Sequence, residues 1–145
     1  HDEKMSHDTE LLLMYAARAQ HLECVILPAL AQGKIVLCDR FSDSSFAYQC
    51  AGRGLSRDKL QLLNTNFVVQ IPDITFWLDA PIELGMTRAR ERGALDRFEQ
   101  EKVSFFAKVR SGFEEIHRHE PERMKRLDAT QAPEQVFKDA LSYLN

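Results

Sequence analysis

The sequence predicts an α/β fold in which a parallel sheet is flanked by helices. Three short predicted strands, at residues 35–38, 74–78 and 124–127, alternate with longer segments that have helical periodicity. Strands that alternate with helices in this way are typical of parallel sheets. Each of these predicted strands is followed at once by an aspartate. Because ligands of open α/β sheets bind outside the carboxyl ends of the strands, the strand end at Asp39 and Arg40 is the first candidate for a ligand site.

Length and composition describe one ordinary globular domain, which we expect to span residues 1–145. The chain is 44% hydrophobic and 28% charged, with a net charge of -3, and its length is sufficient for a single core. The mild acidity gives no reason to expect a nucleic-acid or membrane partner, and no apolar run reaches the roughly 18 residues of a membrane span. The three cysteines lack metal-site spacing, so we expect reduced thiols in a cytoplasmic protein and no metal site built from them.

A long first helix is predicted from Ser6 to about residue 32. Ser6 is a good N-cap residue and Gly33 is a good C-terminal stop, while Pro28 should kink the helix near its end. The apolar stripe of this helix consists of Leu11, Met14 or Tyr15, Leu22, Val25, Ile26, Ala29 and Leu30.

The predicted strand at residues 35–38 ends in a charged pair, Asp39 and Arg40. Four apolar residues in a row indicate a strand that is buried on both faces. The Ser/Asp cluster at residues 42–45 can cap a helix whose N-terminus favours phosphate, although the charged pair could also be a structural ion pair. Arg18 lies on the apolar stripe of the first helix and needs a partner, because an unpaired buried charge is costly. Arg18 could reach this strand end. Alternatively, it could extend to the surface or pair with a structural carboxylate.

The remaining helices are marked by serine caps, by proline in the first turn and by glycine stops. They are predicted at about 43–50, from Ser56 to about 67, from Pro81 to about 92, at about 99–117, and from Pro133 to about 144. In the first of them, Ser45, Tyr48 and Gln49 lie on neighbouring faces, because they are three and four residues apart.

Four arginines crowd the segment around residues 88–98, which we expect to be a flexible lid. They are Arg88, Arg90, Arg92 and Arg97. Guanidinium groups match phosphate oxygens, so a lid that carries them suits phosphoryl transfer. The alternatives are a solvated helix face balanced by nearby acids and a nucleic-acid patch, which the acids disfavour. Asp96 and Glu99 could cap the next helix, or could accept hydrogen bonds from a sugar hydroxyl or from water on Mg²⁺.

Taken together, six segments of the chain resemble the bacterial thymidylate kinases. They are Leu13 to Arg18, Asp39 to Phe41, Ser45 to Gln49, Gly52 to Gly54, Arg88 to Glu99, and Asp128 to Thr130. The resemblance covers nearly the whole chain and roughly the C-terminal two-thirds of the family. It implies a P-loop nucleoside monophosphate kinase fold and a homodimer. The implied reaction is the transfer of a phosphoryl group from ATP to dTMP, giving dTDP, with Mg²⁺ as cofactor.

The resemblance also implies roles for individual residues. Those expected at dTMP are Met14, Arg18, Asp39, Arg40, Ser45, Tyr48, Gln49, Asp96, Phe98 and Glu99. Arg18, Ser45 and Gln49 are expected at the thymine base, with Met14 where the family usually has an aromatic ring. Tyr48 is expected to pack on the sugar, and Asp96, Phe98 and Glu99 belong to a segment that closes over it.

Phosphoryl transfer is expected to depend on four arginines. They are Arg40, which binds the acceptor phosphate, and Arg88, Arg92 and Arg97, which reach the phosphates of ATP. Arg92 is also counted among the residues that bind ATP, and the adenine site is expected to be bordered by Asp128, Ala129 and Thr130.

No segment of the chain matches the phosphate-binding loop pattern G-x-x-x-x-G-K-[ST]. In the family this loop and an acidic-Pro-Gly segment precede the point that matches His1, so we expect a fragment or a processed protein that lacks the first two strands. In the family, the first strand lies between the strands that match residues 35–38 and 74–78. Without it, the backbone edges of these two strands would be unpaired, so this chain alone is expected to be unstable or rearranged, and inactive. The alternatives are a non-catalytic nucleotide-binding or scaffold domain that keeps the monophosphate pocket, and a kinase for another nucleoside monophosphate.

Overall fold

The computed structural model describes residues 5–91 and 102–144. The chain divides into two compact units, His1–Ile71 and Pro72–Asn145, and each is described by itself. The single domain expected over residues 1–145 stays a prediction.

The first unit is built from helices. In chain order they are α1 His7–His21, a π-helical turn Leu22–Ile26, α2 Leu27–Ala31, α3 Ser42–Ser45, a π-helical segment Phe46–Gly52, and α4 Arg57–Phe67. Two predicted serine caps are confirmed: Ser6 accepts the N–H of Thr9 at 3.1 Å, and Ser56 accepts the N–H of Asp58 at 3.2 Å. Each cap satisfies a donor that the first helical turn leaves unpaired. The cap predicted from the Ser/Asp cluster at residues 42–45 does not form, because these residues lie inside α3 and Phe41 precedes it without a side-chain hydrogen bond.

A wide helical turn precedes Pro28, and the kink predicted at this proline stays a prediction. The N–H of Leu27 donates to the carbonyl of Leu22, five residues back rather than four. Pro28 follows at the first turn of α2, where its missing N–H costs least. Helix distortions have local causes of this kind.

The strand predicted at residues 35–38 does not form, and that prediction is wrong. Pairing within the described residues joins only two strands, neither of which includes this segment. The side chains of Ile35 and Leu37 are 92% and 91% exposed rather than buried on both faces. A strand needs a neighbour to accept its backbone hydrogen bonds, and an apolar run does not itself provide one. Asp39 and Arg40 therefore do not end a strand.

The second unit contains the parallel sheet. Its elements are β1 Thr75–Asp79, α5 Ile82–Glu91, α6 Val103–His119, β2 Met124–Asp128 and α7 Pro133–Leu141. The two strands are parallel, with Thr75 opposite Met124 and Asp79 opposite Asp128, and α6 and α7 both pack against β2. The predicted parallel sheet flanked by helices is confirmed, and both of its strands end in aspartate.

A small apolar core lies under the candidate site in the first unit. It consists of Leu11, Tyr15, Cys50 and Leu60. The sequence left Met14 and Tyr15 as alternatives for the stripe, and the structure buries Tyr15 while Met14 and Val25 remain exposed. Tyr15 therefore holds α1 against α4, and Met14 stays accessible.

Candidate functional site

Arg18 on α1 is the centre of the candidate site. Its Nη2 donates to the carbonyl oxygen of Phe41 at 3.1 Å and to Oγ of Ser45 at 3.0 Å. Its guanidinium carbon lies 4.7 Å from the ring centroid of Tyr15 and 5.3 Å from that of Phe41. The guanidinium therefore lies between two aromatic rings and is tethered to the α3 segment, instead of extending to the surface.

One nitrogen of the Arg18 guanidinium is buried without a partner. Nη1 is the only fully buried side-chain nitrogen or oxygen in the described part of the chain that has no hydrogen bond. Burial lowers the pKa of Arg18, and Tyr15 opposes this shift, but a guanidinium keeps its charge in proteins. Because a buried charged donor without an acceptor is costly, such a group in a native structure calls for an explanation, and a ligand acceptor supplies one.

Tyr15 orients Arg18 from the side of the core. Its hydroxyl donates to Oδ1 of Asn64 at 2.6 Å. Burial raises the pKa of Tyr15 to about 12, although the nearby Arg18 charge acts in the opposite direction. The ring is therefore neutral at physiological pH, and it presents its face to the cation.

Arg40 has an unusual backbone conformation next to the site. Its φ of 62° is in the left-handed region, which is costly for a residue with a side chain and is often found at functional positions. Its Nη2 donates to the hydroxyl of Tyr48 at 3.2 Å, and its guanidinium carbon lies 4.7 Å from the Tyr48 ring centroid. Tyr48 therefore holds Arg40, a contact that the sequence did not predict.

A buried polar cluster joins the N-terminal part of α1 to the π-helical segment and to the residue that follows it. Gln49 Nε2 donates to Oε1 of Glu10 at 3.0 Å, and Arg53 Nε donates to the same oxygen at 3.4 Å. Glu10 and Gln49 are only 2% and 3% exposed. The sequence did offer one signal that Glu10 belongs to the site. Glu10 precedes Met14 and Arg18 by four and eight residues, so the three residues lie along one ridge of the helix.

The second unit brings together candidate residues for ATP. Nη1 of Arg88 donates to the carbonyl oxygen of Ala129 at 2.7 Å. Thr130 donates to Oδ1 of Asp128 through its backbone N–H at 2.9 Å and its hydroxyl at 2.6 Å. These two bonds hold the pKa of Asp128 below its usual value. The turn after β2 is thus closed by its own aspartate and is connected to α5.

Five predicted site residues lie outside the described residues. They are Arg92, Asp96, Arg97, Phe98 and Glu99. Their expected roles at dTMP and ATP stay predictions.

Asp79, at the end of β1, is the centre of an ion cluster that the sequence did not predict. Arg110 of α6 donates to both of its carboxylate oxygens, at 2.7 and 2.9 Å. Arg126 of β2 donates to Oδ2 through two nitrogens, at 2.9 and 2.6 Å. The hydrogen bond from Arg110, followed by that from Arg126, lowers the pKa of Asp79, although burial opposes them. The cluster ties β1, β2 and α6 together.

The described residues contain neither a metal cluster nor a membrane-spanning helix. No group of three or more His, Cys, Asp or Glu side chains in residues 5–91 and 102–144 could hold a metal ion. The Mg²⁺ implied by the sequence resemblance therefore has no ready-made set of protein ligands in this part of the chain. None of the helices described has both the length and the apolar character to cross a bilayer.

Comparison with known proteins decides the family. The profile of the family described as Thymidylate kinase matches residues 1–140. The chain belongs to the thymidylate kinase family. Family membership places it among the phosphotransferase enzymes.

Individual relatives agree with this assignment. The chain is 76% identical to a thymidylate kinase of Acinetobacter baumannii (strain SDF), over 99% of the chain and 72% of that protein. It is 72% identical to a thymidylate kinase of Acinetobacter baylyi, over 99% of the chain and 71% of that protein. The crystal structure of thymidylate kinase from Ehrlichia chaffeensis superposes with a TM-score of 0.77 at 29% identity, covering 99% of this chain and 67% of that one.

Proposed function

We propose that this chain carries the dTMP site of a thymidylate kinase, which transfers the γ-phosphoryl group of ATP to dTMP and gives dTDP. The observation that carries the proposal is the buried Nη1 of Arg18, which has no hydrogen-bond acceptor among the described residues. Thymine carries carbonyl oxygens on its edge, and a charged donor in a partly buried pocket is a strong partner for such an oxygen. The Tyr15 and Phe41 rings keep the guanidinium in one plane, so the donor is positioned before the base arrives.

The phosphate of dTMP is assigned to Arg40. Arg40 is exposed, and Tyr48 orients it through the hydroxyl and the ring face. A guanidinium can bind two phosphate oxygens at once and offset their charge, which would otherwise repel an incoming phosphoryl group. Asp39, adjacent and exposed, is assigned to the same end of dTMP, and Met14 to the base.

The residues assigned to ATP include Arg88 and the turn at Asp128, Ala129 and Thr130. The support is the hydrogen bond from Arg88 to the Ala129 carbonyl, which joins two of these candidates. Arg92 and Arg97 are proposed to reach the phosphates, and Asp96, Phe98 and Glu99 to cover the sugar. A homodimer formed through α1 is also proposed, and the exposed side chains of Leu12 and Leu13 support it.

Replacing Arg40 by glycine should weaken dTMP binding at least about tenfold while changing the free energy of unfolding by less than about 1 kcal/mol. Binding falls because a charged donor to the phosphate is lost. Stability is nearly unchanged, since glycine adopts a φ of 62° without strain and this relief offsets its extra freedom in the unfolded chain. Arg40→Ala is the matched control: it should lose the same affinity but unfold about 1 kcal/mol more easily. Wild-type affinity in the glycine variant would remove Arg40 from the phosphate site.

The 145 residues by themselves should bind dTMP but should not turn it over. Turnover is not expected, because no segment of the sequence matches a phosphate-binding loop. Calorimetric titration with dTMP measures the first property, and ADP release with ATP and dTMP measures the second. Titrations with dCMP, dUMP and dGMP test for another nucleoside monophosphate. Failure to bind dTMP would contradict the proposal.

A fusion protein separates a kinase from a non-catalytic domain that keeps the same pocket. The A. baumannii relative is longer than the region it shares with this chain, which covers 72% of it. Joining the unmatched part of that relative to this chain should produce dTMP-dependent ADP release. A binding domain without kinase function would gain none, even though the dTMP affinity is retained.

A further inference from the structure

We propose that Glu10 is a positioning residue that makes the site select a pyrimidine with an N–H at ring position 3, such as thymine, and reject cytosine. It acts through Gln49, by fixing which end of the Gln49 amide points away from Glu10. The inference rests on the proposed function, since it concerns the base end of the dTMP site.

The orientation of the Gln49 amide follows from the chemistry of its partner. The carboxylate of Glu10 only accepts hydrogen bonds, so the amide group that contacts it at 3.0 Å must be the NH₂. Arg53 donates to both carboxylate oxygens, from Nε at 3.4 Å and from Nη2 at 3.5 Å, which fixes the carboxylate. Rotating the amide by half a turn would place two acceptors against each other in a buried site, which is strongly unfavourable.

This orientation leaves the carbonyl oxygen of Gln49 available. No hydrogen bond reaches Oε1 of Gln49 from residues 5–91 or 102–144. Gln49 is four residues after Ser45, which holds Arg18, so the α1 helix and the Ser45–Gln49 segment are linked twice. One link is Arg18 to Ser45 and the other is Glu10 to Gln49. Nη1 of Arg18 is a buried donor without a partner among the described residues, and the one side-chain hydrogen bond of Gln49 in this part of the chain uses Nε2, not the acceptor Oε1.

If Nη1 of Arg18 and Oε1 of Gln49 both face the bound base, this donor and this acceptor together match one edge of thymine. Thymine presents a carbonyl oxygen at position 4 and an N–H at position 3, whereas cytosine presents an amino group and a bare ring nitrogen. Against cytosine, both protein groups would face a group of their own kind and would lose their hydrogen bonds. A site built in this way discriminates far better than a site of suitable shape alone. Uracil has the same edge as thymine, so the predicted selection is against cytosine only.

Glutamine at position 10 removes the restraint while keeping nearly the same shape. The amide of a glutamine can either donate or accept, so Gln49 could bond to it in both orientations. Selection should then weaken, although the pocket is still filled. The binding of two nucleotides that differ only at this edge, dTMP and 5-methyl-dCMP, measures the effect by calorimetric titration of the full chain.

The expected result is a loss of preference without a loss of binding. The unmodified chain should prefer dTMP over 5-methyl-dCMP by at least about tenfold, because a matched pair of edge hydrogen bonds gives discrimination of this order or more. Glu10→Gln should reduce the preference by about tenfold. In a Gln49→Ala background, where the preference is already low, Glu10→Gln should change it by less than about twofold, since the two residues act as a unit. Leu60→Ala, a buried core change, is the structural control: it should destabilise the chain and keep the preference.

Three outcomes decide between the two claims. If the unmodified chain prefers dTMP and Glu10→Gln keeps that preference, the inference is wrong and the proposed function stands. If the unmodified chain binds dTMP and 5-methyl-dCMP equally, the inference is also wrong. If it binds neither nucleotide, both the inference and the proposed function are overturned.

A measurement on the unmodified chain covers the case in which Glu10→Gln does not fold. The side-chain amide protons of Gln49 should exchange with solvent at least about tenfold more slowly than those of exposed Gln61, because one of them is held by the buried Glu10. This protection should persist when dTMP is added. Exchange as fast as that of Gln61 would show a freely rotating amide and would overturn the inference.

Discussion

Replacing Arg18 by methionine should weaken the binding of dTMP by about a hundredfold. The change removes a buried charged donor, and hydrogen bonds to charged groups contribute about 1.5–3 kcal/mol each. Methionine has a similar length and can occupy the space between the Tyr15 and Phe41 rings. Calorimetric titration of both proteins with dTMP measures the difference.

The same substitution elsewhere in the first unit provides the control. Arg57 also lies over an aromatic ring, 5.0 Å from the centroid of Phe46, but it has no assigned role at the site. Arg57→Met should therefore bind dTMP within about twofold of the unmodified chain. The free energy of unfolding of Arg18→Met should stay within about 1 kcal/mol, since removing the unpartnered Nη1 offsets the two lost Nη2 bonds. Equal dTMP affinity in Arg18→Met and the unmodified chain would contradict the assignment of Arg18 to the base.

Replacing Asp79 by asparagine should lower the free energy of unfolding by about 2 kcal/mol at pH 7. Asp79 is only 6% exposed and binds two arginines, so the neutral side chain would remove the carboxylate that both cations bind. Losing one partner of a fully buried pair costs about 3–5 kcal/mol. The value here is smaller because the side chains of Arg110 and Arg126 are 44% and 49% exposed, and water screens them. Urea unfolding measures the change.

The effect of Asp79→Asn should disappear in acid. The pKa of Asp79 is held below its ordinary value of 3.8 by the hydrogen bonds from Arg110 and Arg126. A lowered pKa in the folded state contributes stability that is complete above the unfolded-state pKa, and it is lost as the pH falls through the folded-state pKa. The stability gap between the two proteins should thus be constant from about pH 7 to pH 5 and should shrink below about pH 4.

An exposed ion pair is the control for this experiment. Asp8 and Lys59 form a pair at 2.8 Å, and both side chains are more than half exposed. Asp8→Asn should change the free energy of unfolding by less than about 1 kcal/mol at pH 7. The account would be contradicted if the two substitutions lowered the free energy of unfolding equally. It would also be contradicted if the difference in stability between Asp79→Asn and the unmodified chain did not shrink in acid.

Local signals in the sequence were sufficient for most helices and for the central site residue. Ser6 and Ser56 mark helix starts through their own side chains, and both caps form as predicted. Arg18 could be identified as a candidate because a cation on an apolar stripe is visible within one helix.

Features that depend on distant partners could not be predicted in this way. The segment at residues 35–38 has the composition of a buried strand, but strand formation requires a neighbour, and among the described residues it has none. The role of Glu10 depends on Gln49, which is 39 residues away along the chain. The ion cluster of Asp79 likewise joins residues 31 and 47 positions apart. No rule of spacing or propensity connects such residues before the fold is known.

The crystal structure of this chain in complex with dTMP tests the central claim most directly. We expect a carbonyl oxygen of thymine within hydrogen-bond distance of Nη1 of Arg18, and the phosphate against the guanidinium of Arg40. A complex in which dTMP lies elsewhere, or in which Nη1 of Arg18 bonds to a protein group instead of the base, would contradict the account.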